Sequence, residues 1–132
     1  MRLTEILPTN YLLQKDPMLM IDKIIKFTKD SICIKPKIPK FWIKEGCSFD
    51  SWIILEILGQ TSELLWRLNG INGKGYLIKI ENFLNFDKYD KRLLENLKIT
   101  AVKKGQIGNF YLSHAEILNE KATNADFIHY FE

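Results

Sequence analysis

Thiol and imidazole chemistry is scarce in this chain: its 132 residues include two cysteines and two histidines. The spacing of Cys33 and Cys47 matches neither a metal site nor a disulfide framework, so no bound metal is expected and both thiols should be reduced. No motif points to a cofactor. The formal charge is only +3, from 19 basic and 16 acidic residues. No Lys/Arg run is long enough to form a nucleic-acid stripe, so no nucleic-acid partner is expected. The opening MRLTEILPTN lacks the continuous apolar region of a secretory signal, which makes a cytoplasmic location the expectation. Repeats, low-complexity tracts and linkers are absent too. Residues 1–132 therefore read as one domain with one sizeable core.

What the chain does have is SWIILEILGQTSELLWRL, residues 51–68. It is long enough for about five helical turns and apolar almost all the way round. Glu56, Gln60, Glu63 and Arg67 interrupt the apolar runs, which argues against a membrane span and for a helix wrapped by the rest of the chain. Glu56 sits in the second turn among apolar neighbours, with Gln60 one turn later on the same face. A carboxylate there should be largely withdrawn from water. That costs several kcal/mol unless the group is paired, protonated or used. A structural hydrogen bond to Gln60 and a functional carboxylate are both open readings at this point.

The remaining segments read as strands. Residues 18–27 and 31–38 form two, with a turn at Lys29-Asp30-Ser31 and Cys33 buried inside the second. Pro8 limits a short helix near residues 3–13. Residues 40–50, KFWIKEGCSFD, make a packed loop entering the central helix, and Asn-Gly turns at 69–74 end it. Strands follow over 76–86, 97–101, 109–118 and 125–131, separated by a charged loop at 87–95 and turns near 103–106 and 119–121. The sum is α+β: an antiparallel meander curled round one long helix. Such a sheet leaves open edges, and these, with the aromatic loop, predict a homodimer.

Several segments resemble the 3-hydroxyacyl-[acyl-carrier-protein] dehydratases of fatty-acid synthesis, which have the hotdog fold. Ile6-Leu7-Pro8 followed by DPMLMIDKII is similar to that family's "LP…PFLLVDRV" opening, and Ile54–Gln60 (ILEILGQ) to its "LxEAxAQ" helix. Gly75-Tyr76-Leu77 with Ile80 and Phe83 resembles the strand after the helix, and Lys103-Lys104-Gly105 its basic hairpin. The resemblance covers nearly the whole chain. It implies a hotdog fold, an acyl-carrier-protein or CoA thioester as partner, and Glu56 as the catalytic carboxylate. The implied reaction is dehydration of a 3-hydroxyacyl thioester to a trans-2-enoyl thioester, as in fatty-acid or aryl-polyene-type pathways. Lys103, Lys104 and Arg92 would face an acidic carrier at the mouth of the acyl tunnel.

The chain departs from that family where a histidine is required. The loop before the helix reads Glu45-Gly46-Cys47-Ser48-Phe49-Asp50, with Gly46-Cys47 in place of Gly-His. Gly46, Cys47 and Phe49, with Gln60, are the candidate substrate-binding residues. His114 and His129 lie in late strands, where a lone histidine is more often packed or exposed than reactive. Three functions therefore stand: a divergent dehydratase, a non-catalytic acyl-thioester-binding or assembly subunit, and a hotdog thioesterase.

Overall fold

A computed structural model describes residues 8, 11–12, 19–38, 51–85, 96–118 and 120–132. Strands β1 (Ile21–Phe27) and β2 (Ser31–Pro36) come first, then helix α1 (Ser51–Leu68). Strands β3 (Gly75–Asn85), β4 (Ile99–Ile107), β5 (Phe110–Ile117) and β6 (Glu120–Phe131) follow. They form one six-stranded antiparallel sheet in the order β1-β2-β4-β5-β6-β3. This is the hotdog arrangement that the sequence implied.

The order departs from a simple meander at one point. β3 follows the helix directly, yet it pairs with β6, the last strand, and β4 pairs back onto β2. The helix separates the two hairpin systems, so the chain resumes at the far edge of the sheet.

The seating of the helix follows from residue size. In β5 and β6 buried and part-buried residues alternate, which puts one face of each strand against the helix. Ala101, Ala115 and Ala125 stand side by side on that face in direct register across β4, β5 and β6, all fully buried. Three neighbouring methyl groups leave a trough in the sheet. The apolar side of α1 (Ile54, Ile57, Leu58, Leu64, Leu65) fills the core above it, together with Ile32, Ile34, Ile99, Ile117 and Phe127. A Leu at any of these alanine positions would lift the helix from the sheet.

Helix α1 ends as the Asn-Gly signal predicts. Gly70 adopts φ +89°, and its N–H donates to the Arg67 carbonyl while the Ile71 N–H donates to the Trp66 carbonyl. The Asn69 side chain donates to the Leu65 carbonyl at 2.7 Å. This is a Schellman closure with an extra side-chain cap. No helix among the described residues is long and apolar enough to cross a membrane.

Candidate functional site

Positions 56, 60, 63 and 67 recur at the helical period, so the residues that interrupt the apolar helix line up on one face. They form a narrow polar seam along an otherwise buried helix.

At its first half the seam is satisfied. The Met20 backbone N–H donates to Gln60 Oε1 at 2.9 Å, which fixes the orientation of the amide. Gln60 Nε2 therefore faces Glu56 and donates to its Oε1 at 3.1 Å. The amide holds the carboxylate without adding charge. Gln60 is buried, but Glu56 is only part-buried, so the expectation of a largely desolvated carboxylate is corrected.

The second half of the seam differs. Glu63 is withdrawn from water, and burial pushes its carboxyl up; the Arg67 charge opposes that shift and the Glu56 charge adds to it. Its Oε2 lies 3.7 Å from Arg67 Nε, close enough for charge attraction, yet neither atom makes a hydrogen bond. Arg67 instead directs Nη1 to the Gly73 carbonyl at 2.6 Å, and its guanidinium lies 4.6 Å from the centroid of the Phe131 ring.

The two histidines lie on opposite faces of the β5–β6 pair. His129 faces the helix, 2% exposed and stacked between Phe127 and Phe131. Burial, assisted by the nearby Arg67 charge, lowers its pKa to about 4, so the ring is neutral. His114 faces outward, and its Nδ1 lies 2.7 Å from Asp126 Oδ1. Asp126 Oδ2 accepts from Asn82, which reaches it from a bulge in β3 where Asn82 takes φ +54°. Desolvation pushes the Asp126 carboxyl up, but the hydrogen bonds from Asn82 and His114 and the charges of His114 and Lys104 outweigh it and hold it below its ordinary value. Neither histidine hydrogen-bonds to Glu56.

The other candidates are placed as follows. Gly46, Cys47 and Phe49 fall outside the described residues, as does Arg92. Cys33 points away from the helix and is half-buried, which corrects its expected burial; partial desolvation raises its thiol pKa, with Lys98 and Lys26 pulling the other way. Lys103 is engaged rather than solvated. Its Nζ donates to Asn69 Oδ1 at 2.9 Å and lies 5.0 Å from the centroid of the Trp66 ring. Lys104 is exposed beside an outer-face cavity of about 230 Å³ floored by Leu112 and Ile128. Among the described residues no three His, Cys, Asp or Glu side chains gather as metal ligands.

Sequence reasoning missed Glu63, Arg67, Ser62, Ser113 and His129 as a group. The helical spacing of 56, 60, 63 and 67 was the signal available for the first two. Ser62 lies on another face of the same helix, and Ser113 and His129 needed the strand register.

Comparison with known proteins places this geometry. No family model matches the sequence. The chain is 30% identical over 128 aligned positions to an uncharacterized thioester dehydrase of Halalkalibacterium halodurans, covering 86% of this chain and 78% of that protein. Among solved structures it resembles the dehydratase heterocomplex ApeI:P of Xenorhabdus doucetiae, with TM-score 0.75 and 11% identity over 95% of this chain and 90% of that one. A homologue of HP0420 from Helicobacter felis superposes with TM-score 0.67 and 13% identity over 99% of this chain and 90% of that one. A hypothetical thioesterase of Streptococcus pneumoniae, determined with coenzyme A, gives TM-score 0.60 and 16% identity over 83% and 84%. At these identities the structural likenesses speak for the fold.

Proposed function

The chain belongs to the hotdog-fold thioester dehydrases, and from that premise we propose that it removes water from a 3-hydroxyacyl thioester, with Glu56 as the proton-transfer group. The observation that carries this reading is the Glu56–Gln60–Met20 chain of hydrogen bonds: a part-buried carboxylate held in one orientation by a buried, neutral amide.

In the proposed step Glu56 takes the proton from C2 and the C–H electrons form the C2=C3 bond. The C3–O bond breaks, and the departing hydroxyl takes a proton and leaves as water. Proton transfer by one positioned carboxyl suffices if the same group returns the proton. Gln60 orients Glu56 through both events. Negative charge developing on the thioester oxygen is stabilised if that oxygen sits at the N-terminus of α1.

A second reading, a non-catalytic acyl-thioester-binding or assembly subunit, is favoured by the positions of the histidines. His129 is enclosed between phenylalanines and His114 is tied to Asp126 on the opposite face of the sheet. This chain therefore brings no imidazole of its own to Glu56. A missing general base costs on the order of 10²–10⁴ in rate.

The edge strand β3 supports a homodimer. It pairs with β6 on one side only, and Tyr76, Leu77, Ile78 and Leu84 are exposed along it. An acyl-carrier protein or CoA would deliver the thioester, with Lys104 as an exposed basic contact for an acidic carrier.

The deciding experiment incubates the purified protein with a 3-hydroxyacyl thioester and follows enoyl formation and thiol release. Enoyl product lost in Glu56→Gln supports the dehydratase. Binding without turnover selects the second reading, and thiol release without enoyl product selects a thioesterase.

A further inference from the structure

Lysines crowd the β1 end of the sheet, on the face turned away from α1. Lys23 of β1 pairs directly with Lys35 of β2. Ile34 pairs with Ile99, so Lys35 and Lys98, the next residue on each segment, stand side by side. Ile24, Ile34 and Ile99, each next to one of these lysines in sequence, are buried in the core. The three lysines therefore project to the opposite face. Neighbouring strands lie about 4.8 Å apart, so the row is about 10 Å long. Lys26 stands one row away, paired with Cys33, and the charges of Lys98 and Lys26 both reach that thiol.

Like charges directly opposite each other on neighbouring strands cost stability. A carboxylate between them would offset the cost, yet among the described residues none forms an ion pair with Lys23, Lys26, Lys35 or Lys98. Elsewhere on the same face the charges are balanced: Lys79 meets Glu81 at 3.3 Å, and the Lys104 charge acts on Asp126.

The row also lines a recess. Lys23, Lys35 and Lys98, with Ile25, Asn96 and Leu97, surround a cavity of about 360 Å³. That is the size of a small-molecule site. Three ammonium groups on one such cavity select a compact polyanion. A lone carboxylate would leave most of their charge unmet. Two linked phosphates bring several negative charges and acceptor oxygens close together, and lysine meets phosphate as a point charge. Ile25 and Leu97 are part-buried and uncharged, which suits an apolar portion of the ligand.

We propose that this cavity binds an organic diphosphate, with Lys23, Lys35 and Lys98 on its phosphates and Ile25 and Leu97 against the group that carries them. The sheet separates the cavity from Glu56, so this is a second site, independent of the reaction assigned to Glu56. ADP and coenzyme A both carry a diphosphate, and the recognition chemistry is the same for either source.

The test is calorimetry on the full chain at low salt without divalent cations, with ADP, AMP, coenzyme A and poly-glutamate as probes. ADP should bind at least about tenfold tighter than AMP. Coenzyme A binding at least as tightly as ADP supports coenzyme A as the source, and weaker binding supports a free nucleotide. Lys35→Met and Lys98→Met should each weaken ADP binding about tenfold or more, the loss of one charge-assisted contact. Lys35→Arg should hold it within about threefold. Lys35→Met should also melt no lower than the parent protein, because it removes a like-charge pair. Should one Met variant not fold, the other still decides. Equal binding of ADP and AMP, or ADP binding unchanged in the Met variants, overturns the inference. Binding of poly-glutamate without ADP or coenzyme A overturns it in favour of an acidic protein partner. Binding of no probe overturns it and leaves the reading of Glu56 standing.

Discussion

The two halves of α1 each carry a part-buried glutamate with a polar partner one turn on, a neutral amide in the first and a cation in the second. In the first half Glu56 is part-buried and its partner Gln60 is anchored by the Met20 amide. In the second half Glu63 is part-buried with its carboxyl pushed up by burial, and its Oε2 lies 3.7 Å from Arg67 Nε, beyond hydrogen-bond distance. Both carboxylates are part-buried, but one is held by a neutral amide and the other faces a cation that it meets only at 3.7 Å. Two carboxylates on one helix thus differ through their partners, a neutral hydrogen-bonding amide for Glu56 and an offset cation for Glu63.

The sharpest way to break that comparison is to neutralise each carboxylate in turn. Glu56→Gln should lower the rate of enoyl formation by about 10²–10⁴ with an unchanged melting temperature. Glu63→Gln should change it by no more than a few-fold on the same substrate. Equal losses would show that the two halves act as one unit.

Next in size is the pH dependence set by His129. Its folded pKa of about 4 lies below the ordinary 6.5, so between those values the unfolded chain binds the proton more readily. Stability contributed by the neutral ring is present above pH 6.5 and is lost as pH falls toward 4, by about 3 kcal/mol in total. Glu63 runs the other way: its raised pKa makes the folded state bind the proton more readily, so it costs stability as pH rises above 4.5. Denaturant melts across this range should show His129→Phe removing the acid-side loss and Glu63→Gln removing the opposing slope.

Gly75 sharpens the comparison at the Arg67 end. A Cβ there would lie 2.7 Å from the Phe131 ring and 2.8 Å from the Arg67 guanidinium. Gly75→Ala should destabilise the fold by about 1–3 kcal/mol, with activity at Glu56 retained in the folded fraction. The smallest effect expected is the stability change in Glu63→Gln at neutral pH. Removing a part-buried, imperfectly paired charge should raise stability by about 1 kcal/mol. A loss would mean that the pair with Arg67 is stronger than its 3.7 Å separation indicates.

Much of this architecture was legible beforehand. The bounds of α1, its Asn-Gly termination, the β1–β2 hairpin and the pairing of Glu56 with Gln60 follow from local spacing, and each is found in the structure. The exposure of Glu56 and Cys33 was misjudged because apolar neighbours in sequence do not say which side of an element another element covers. Lys103 looked like a free surface cation, yet it caps the helix end through Asn69, a residue far from it in sequence.

The sequence by itself determined the central helix, the α+β class and the chemical type of the helix's interrupting residues, since these depend on spacing within a few turns or pleats. Only the tertiary structure decided that β3 crosses to the far edge beside β6. It alone put three alanines in one row under the helix, and it alone sealed Ser62, Trp66, Ser113 and His129 into one layer. Those outcomes depend on register between strands remote in the chain. Register is set by how the whole core packs, and no local pattern encodes it.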